Sequence, residues 1–242
     1  MAITQHPSGD WLSAYAAGSL PLGQSLCVAA HLEFCSQCRQ NYMRLSQLGG
    51  ELMQTLEPVP SQKLSLDDLM ARIDAQPRQK AVDIEAEGLD LSAEPEPSGR
   101  RKKAVVSQSA AVPRSLRKLI PNGYDELKWS RISWSIRSAE LCRDDNGLKV
   151  ELLRIKPGGA SPRHTHLGDE LTMVLQGSFS DEVGVYHSGD FMACDQSDTH
   201  TPVASVDREC ICLTVTQAPI QLSGFLGRWL NPLLRRGHTS AS

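Results

Sequence analysis

The hydrophobic residues of this 242-residue chain change their spacing partway along it. In the first 76 residues, apolar side chains recur every three or four positions, as they do from Leu66 to Ile73, which predicts short α-helices. From Trp129 onward they alternate with polar residues, as in LKVELLRIK and CICLTVTQ, which predicts β-strands. The change of period predicts an α + β multidomain protein in which a small helical bundle precedes a β-barrel or sandwich.

The segment from about residue 77 to 113 separates the two halves by its composition. It is acidic from Asp83 to Glu96, carries ArgArgLysLys at 100–103, and has few large apolar residues. We interpret it as a flexible linker whose basic run is solvated, although such a run could also touch an acidic partner or nucleic acid. The predicted organisation is a helical domain at 1–76, a linker at 77–113 and a barrel domain at 114–242, with a C-terminal helical tail from Ile220 to Arg236.

Composition excludes several classes of function. No stretch approaches the roughly 18 to 20 apolar residues of a membrane helix, and the start lacks the pattern of a secretory signal, so we expect a cytoplasmic protein without a membrane partner. The net charge of −3 gives no electrostatic reason to expect direct nucleic-acid binding. In a reducing compartment, clustered cysteines indicate metal binding or redox chemistry rather than disulfides.

Three of the seven cysteines lie within twelve residues, and two of them form part of a metal-binding pattern. His31, Cys35 and Cys38 follow the spacing HxxxCxxC, which places His31 and Cys35 one helical turn apart on the same face. Zinc prefers tetrahedral nitrogen and sulfur ligands, so we predict Zn²⁺ here. A thioredoxin-like redox pair is the alternative, but it would need a βαβ context that this helical segment lacks.

Two residues compete for the fourth ligand position of this predicted zinc site. His6 lies just before the first helix, where the chain could fold back, and Cys27 lies one turn before His31 on the same face. Cys27 could also form a disulfide with Cys35 if zinc leaves. We favour His6, because a ligand from a separate segment staples the helices together.

A second set of metal-ligating residues lies in the predicted barrel. His164 and His166 point to the same side of an extended segment, Glu170 follows a short turn, and His200 can arrive from a neighbouring strand. These residue types suit zinc, iron, manganese or nickel, and ligand type alone does not choose among them. Cys210 and Cys212 lie on one predicted strand, where they are accessory redox candidates or core residues.

Each motif resembles that of a known family. The first 76 residues resemble the zinc-binding anti-sigma factors, including the upstream histidine at His6. The resemblance implies that the helical domain binds an extracytoplasmic-function sigma factor and blocks its access to RNA polymerase. The run from Gly158 to Gly177 matches the first motif of the cupin superfamily at every fixed position, whereas the second motif keeps only Gly189 and His200. The two motifs in this order resemble the ChrR-type anti-sigma factors, which implies a response to singlet oxygen or organic peroxides.

Three hypotheses follow for the function. The first is a non-enzymatic regulator that holds a sigma factor and releases it when the cupin domain senses an oxidant. Its candidate contact residues are Leu45, Leu48, Leu52 and the helix around Leu66–Ile73. The second is a metal-dependent cupin enzyme of the dioxygenase type with a helical regulatory domain. The third is a zinc-dependent protein that binds DNA directly, which the acidic balance disfavours. The sequence leaves the oligomeric state open.

Overall fold

The computed structural model describes residues 3–57, 65–75 and 112–222. The helices in these ranges are α1 (Gly9–Ala16), α2 (Leu22–Phe34), α3 (Ser36–Gln54) and α4 (Leu66–Asp74). The strands are β1 (Ser130–Arg131), β2 (Ile136–Arg143), β3 (Lys149–Ile155), β4 (His164–His166), β5 (Glu170–Gln176), β6 (Ser178–Ser180), β7 (Val185–His187), β8 (Phe191–Cys194), β9 (Thr199–His200), β10 (Val203–Ala204), β11 (Cys210–Thr216) and β12 (Ile220–Leu222). This architecture confirms the predicted fold class, with helices first and antiparallel β-structure after them.

Local sequence explains where the helices begin and end. The side chain of Ser8 caps α1 by accepting a hydrogen bond from the Trp11 amide, and α2 begins directly after Pro21. Cys35 has extended backbone angles, so α2 ends there and α3 begins at Ser36. The apolar repeat that begins at Leu45 predicts a helix there, but α3 starts nine residues earlier, and Cys38 lies in its first turn.

The strands form three antiparallel sheets. The largest has the order β1-β2-β3-β11-β5-β8, and two three-stranded sheets have the orders β10-β6-β7 and β12-β4-β9. In the third sheet His164 pairs directly with His200, because β4 lies beside β9. The sequence predicted that the C-terminal tail would be helical from Ile220. This is wrong for residues 220–222, which form β12, and the rest of the predicted tail lies outside the described residues.

Helix α2 packs against strands β5 and β11 on one face of the large sheet. The approach is close at Gly23, where an added Cβ would lie 3.0 Å from methyl groups of both Val150 and Val215. One core cluster consequently includes residues of the helices, such as Val28, and residues of the sheet, such as Leu213.

The described residues fall into two compact units. One contains residues 3–54 together with 112–222, and the other contains 55–57 and 65–75, which include α4. Apart from residues 112 and 113, the predicted linker lies outside the described ranges, and its boundaries stay a prediction. Within the described ranges, no helix is both long and apolar enough to cross a bilayer.

Two candidate metal centres

The first centre forms where the break between α2 and α3 meets the segment that precedes α1. His31 comes from the last turn of α2, Cys35 from the break and Cys38 from the first turn of α3. His6 approaches from the N-terminal segment, and one ligand atom from each of the four residues lies within 4.8 Å of the others. The structure thus brings together all four residues that the sequence predicted as zinc ligands.

Hydrogen bonds set which nitrogen of His31 faces this centre. Nδ1 lies 2.8 Å from the carbonyl oxygen of Gly189, which can only accept, so Nδ1 carries the proton. Nε2 is therefore a lone-pair nitrogen, and it is buried without a hydrogen-bond partner. A buried lone pair of this kind is costly unless an ion or a donor meets it.

The thiols of the centre have the same need for a cation. The Sγ atoms of Cys35 and Cys38 each lie 3.4 Å from Nδ1 of His6. Burial and the neighbouring Cys35 raise the pKa of Cys38 to about 12, and burial lowers the pKa of His31 to about 4. The low pKa keeps His31 neutral, which is the form that binds a metal ion. The raised pKa of Cys38 means that its thiolate forms readily only when a cation lies beside it.

The two distances of 3.4 Å from Nδ1 of His6 to the cysteine sulfurs suit zinc. Zn–S bonds of about 2.3 Å and Zn–N bonds of about 2.0 to 2.1 Å in a tetrahedron place neighbouring ligand atoms about 3.3 to 3.8 Å apart. The competing candidate, Cys27, is fully buried in the shared core and does not belong to the mutually close set. Burial and the charge of Glu170 raise the pKa of its thiol. His6 is thus the residue whose position suits the fourth ligand.

The second centre lies among three buried histidines of the small sheet β12-β4-β9. Nε2 of His200 lies 3.1 Å from Nε2 of His164 and 3.2 Å from Nε2 of His166. Ligand atoms at bond lengths of about 2.1 Å are about 3.0 Å apart in an octahedron and about 3.4 Å apart in a tetrahedron. The spacing therefore suits one small divalent cation among the three rings.

The hydrogen bonds of the opposite ring nitrogens explain why a cation would be favourable among the three rings. Nδ1 of His164 lies 2.8 Å from the Pro162 carbonyl, and Nδ1 of His200 lies 3.1 Å from a carboxylate oxygen of Asp181. Because both partners accept, both Nδ1 atoms carry protons and their Nε2 lone pairs point at each other. Burial and the neighbouring His200 lower the pKa of His164, so protonation does not relieve this repulsion, whereas a metal ion would.

Glu170, the predicted fourth ligand of this centre, lies beside the histidines rather than within the mutually close set. Its Oε2 is 3.3 Å from Nδ1 of His166, and its Oε1 accepts a hydrogen bond from Thr172 at 3.2 Å. Burial raises its pKa, but the hydrogen bond and charge of His166 outweigh burial, so its pKa lies below the usual value. Glu170 is therefore a carboxylate at the edge of the centre, and its role as a ligand stays a prediction.

The sequence did not reveal the groups that orient these ligands. Asp181, the Pro162 carbonyl and the Gly189 carbonyl each hold one histidine, yet none stands at a spacing that marks it. Cys210 and Cys212 lie in the second core cluster with their Sγ atoms 3.6 Å apart. Both are almost fully buried, as the core interpretation of this pair predicted.

Known proteins are similar to this chain over the residues of both centres. Residues 122–219 match the family described as the ChrR cupin-like domain. Over 235 residues the chain is 34% identical to the anti-sigma-E factor ChrR of Cereibacter sphaeroides, covering 97% of this chain and 100% of that protein. It is also similar to a crystal structure of Rhodobacter sphaeroides SigE in complex with the anti-sigma ChrR, with a TM-score of 0.68 and 32% identity over 89% of this chain and 99% of that one. The likeness is therefore not confined to the cupin domain.

Proposed function

Because the chain belongs to the ChrR family of anti-sigma factors, we propose that it binds an extracytoplasmic-function sigma factor and keeps that factor from RNA polymerase. The matched relative is in complex with SigE, which supports a partner of the same class here. In this proposal the chain acts in the cytoplasm as a regulator rather than as an enzyme. It needs no direct contact with nucleic acid.

The observation that carries the proposal is that α3 and α4, each taken by itself, expose large apolar residues. Leu48 and Met53 of α3 are 52% and 73% exposed, and within the described ranges no side chain of α4 is buried. The large apolar residues of α4 repeat at helical spacing on one face and are all exposed: Leu66, Leu69, Met70 and Ile73. An amphipathic helix with an exposed apolar face suits helix-to-helix or helix-in-groove recognition by a partner protein.

The proposed zinc ion has a structural role in this binding. His6, His31, Cys35 and Cys38 would hold it, and it would cross-link the N-terminal segment to the corner where α2 meets α3. The cross-link keeps the corner between α2 and α3 closed and so sets the direction in which α3 presents its apolar residues. Structural zinc sites contribute directly to the free energy of folding.

The proposed cupin centre is the sensor. His164, His166, Glu170 and His200 would hold Zn²⁺ or another divalent metal such as iron, manganese or nickel. We infer that singlet oxygen or an organic peroxide acts on this centre and loosens the complex. The arrangement supports this role because the Nε2 atoms of the histidines approach one another closely. Oxidation of one ring would remove a ligand, and the remaining histidines would hold the metal more weakly.

The direct test is co-purification of the full chain with the sigma factor encoded beside its gene. Leu48→Asp places a charge among the proposed contact residues of α3, and Met70→Asp places one among those of α4. Val183→Asp places one at an exposed cupin position as the matched control. Losing a buried apolar contact of about 1.5 to 3 kcal/mol would weaken binding by about 10- to 100-fold, measured by calorimetry.

Equal binding by all variants would contradict the proposed contact residues, and no binding by the parent chain would contradict the proposed function. Turnover of a small substrate that disappears in His164→Ala would instead favour the alternative of a cupin enzyme.

A further inference from the structure

A turn between β7 and β8, made of Ser188, Gly189 and Asp190, contacts both histidine segments of the N-terminal centre. We call these three residues the latch turn. We propose that the latch turn positions His6 and His31 and thereby couples the metal affinity of the N-terminal centre to the state of the cupin centre. The proposal rests on the metal binding proposed above, but not on sigma-factor binding.

The first contact is the hydrogen bond from His31 to the Gly189 carbonyl. A second hydrogen-bond partner of this kind orients a ligating histidine and raises its basicity. The backbone of Gly189 has φ +101°, which favours glycine, and an added Cβ would lie 2.8 Å from the side chain of Ile3 and 3.2 Å from Cβ of Phe34. The carbonyl is therefore held at a fixed place beside α2.

The second contact is the Asp190 carboxylate, which is 1% exposed. Its Oδ1 accepts hydrogen bonds from the backbone amides of Thr4 at 2.7 Å and Gln5 at 2.9 Å. Its Oδ2 accepts from the amide of His187 at 2.7 Å. Charge-assisted bonds to a buried carboxylate are strong, so Asp190 fixes the two residues that immediately precede His6.

The third contact joins the latch turn to the cupin centre. The Gly189 amide donates to the carbonyl of Val174 at 2.8 Å, and the Val174 amide donates to the carbonyl of Asp190 at 3.1 Å. Val174 lies on β5, whose first residue is Glu170, the carboxylate beside His166. A single buried strand therefore connects the edge of one centre with the turn that holds the histidines of the other.

Such a connection makes the metal affinity of each centre depend on whether the other centre holds a metal ion. If a metal ion in the cupin centre holds β5 and the latch turn in the geometry that suits His6 and His31, it raises the affinity of the N-terminal centre. By thermodynamic linkage the N-terminal metal raises the affinity of the cupin centre by the same factor. Loss of the cupin metal then reaches the helices without any direct contact between the two ions.

The first experiment titrates the full chain with Co²⁺ against a competing chelator. Of the two centres, only the N-terminal one contains thiol ligands. The thiolate-to-cobalt charge-transfer absorption band therefore reports Co²⁺ binding at that centre separately from binding at the cupin histidines. Asp190→Asn keeps the side-chain volume, but an amide nitrogen donates and cannot accept the His187 amide. We expect about a 10- to 100-fold weaker Co²⁺ affinity in this variant, as for other changes to groups that orient metal ligands. Asp207→Asn, at an exposed loop position, is the matched control and should bind as the parent does.

The second experiment tests the coupling with a double-mutant cycle. His200→Ala disables the cupin centre, and we expect it to weaken Co²⁺ binding at the thiol centre by about 5-fold or more. In the Asp190→Asn background, His200→Ala should change the Co²⁺ affinity of the thiol centre by less than about 2-fold, because the latch turn no longer links the two centres. An unchanged thiol-centre affinity in folded His200→Ala would overturn the coupling, and an unchanged affinity in folded Asp190→Asn would overturn the positioning role.

A third variant covers the case in which Asp190→Asn does not fold. Thr4→Pro removes one amide that donates to Asp190 and leaves the cupin domain unaltered. It should weaken Co²⁺ binding at the thiol centre and reduce the effect of His200→Ala, whereas parent-like values in both measurements would overturn the proposal. Because no sigma factor is present in these titrations, their failure would leave the anti-sigma function untouched.

Discussion

At the scale of single residues, the buried histidines of the two centres share one arrangement. In His31, His164 and His200 an oxygen atom accepts a hydrogen bond from Nδ1, and Nε2 faces the other ligands. The acceptor fixes the tautomer, and the tautomer decides that the inward nitrogen carries a lone pair. The chemistry of each centre therefore depends on residues that do not themselves face the ion.

Asp181 allows this dependence to be measured in the cupin centre. Its carboxylate is buried and holds Nδ1 of His200 at 3.1 Å. Asp181→Asn keeps the shape but weakens the charge-assisted bond, so we expect about a 10- to 100-fold loss of metal affinity at the three histidines. The measurement is chelator competition on the full chain. Asp198→Asn, on an exposed turn, is the control, and equal losses in the two variants would contradict the role of Asp181.

The ligands could be predicted from the sequence because each set has a local spacing. His31, Cys35 and Cys38 lie within eight consecutive residues around the junction of α2 and α3, and His164 and His166 lie two apart on one strand. Their orienting groups could not be predicted in the same way. Asp181 precedes His200 by 19 residues and Gly189 follows His31 by 158, and only the fold brings these pairs together.

At the scale of elements, the contact between α2 and the large sheet depends on a missing side chain. Gly23→Leu would insert a large group where even a Cβ lies 3.0 Å from Val150 and Val215, so we expect a loss of about 1 to 3 kcal/mol in the free energy of unfolding. Gly49 on α3 has open space around it, and alanine has a higher helix propensity than glycine. Gly49→Ala should therefore raise the free energy of unfolding by up to about 1 kcal/mol. Urea unfolding measures both, and a Gly23→Leu chain as stable as the parent would contradict the packing.

A second element contact depends on pH. The Glu33 carboxylate on α2 accepts hydrogen bonds from the amides of Arg114 at 2.7 Å and Ser115 at 2.8 Å. Burial raises its pKa, but the bonds from Ser115 and Arg114 outweigh burial, so its pKa lies below the usual value. A depressed pKa contributes stability above the unfolded value of about 4.3, and that stability is lost as the pH falls through the folded value.

Glu33→Gln should therefore lower the melting temperature at pH 7 and have a smaller effect near pH 3. Because Glu33 is largely exposed, we expect less than about 1 kcal/mol. Glu57→Gln, at an exposed position of the helical half, serves as the control. A Glu33→Gln effect that is the same at both pH values would contradict the assignment.

The two periods of the sequence predicted helices and strands correctly because tertiary contacts agree with local spacing in both halves. The boundaries of individual helices and strands differ from the predicted ones where the backbone leaves its regular conformation. The alternating stretch that begins at Trp129 divides into β1 and β2 around a loop in which Trp134 is exposed. The start of α3 at Ser36 likewise depends on the extended backbone of Cys35, which no repeat of apolar residues marks.

At the scale of the whole molecule, the larger hydrophobic core cluster contains residues from both 3–54 and 112–222. We therefore expect thermal unfolding of this unit to be a single transition that both metals stabilise. Excess chelator should lower its midpoint, because a ligand at about 1,000 times its dissociation constant adds about 4 kcal/mol, and added zinc should restore it. Calorimetry checks this expectation, and two separate transitions for the helical and cupin residues would contradict it.

This shared core could not be predicted from the sequence. Val28 of α2 and Leu213 of β11 lie in the same core cluster, although either half could equally have buried its own residue within itself. Periodicity shows that a face is apolar but not which surface covers it.

The position of β8 at the end of the large sheet has a consequence for solubility. An unpaired strand edge is a template for the addition of further chains, and proteins protect such edges by covering them. Here the backbone of Gln5 accepts a hydrogen bond from the Phe191 amide, so the segment that carries His6 also shields this edge. Loss of the proposed metal ion from His6 would leave this cover less firmly held, and we therefore expect it to favour self-association through β8.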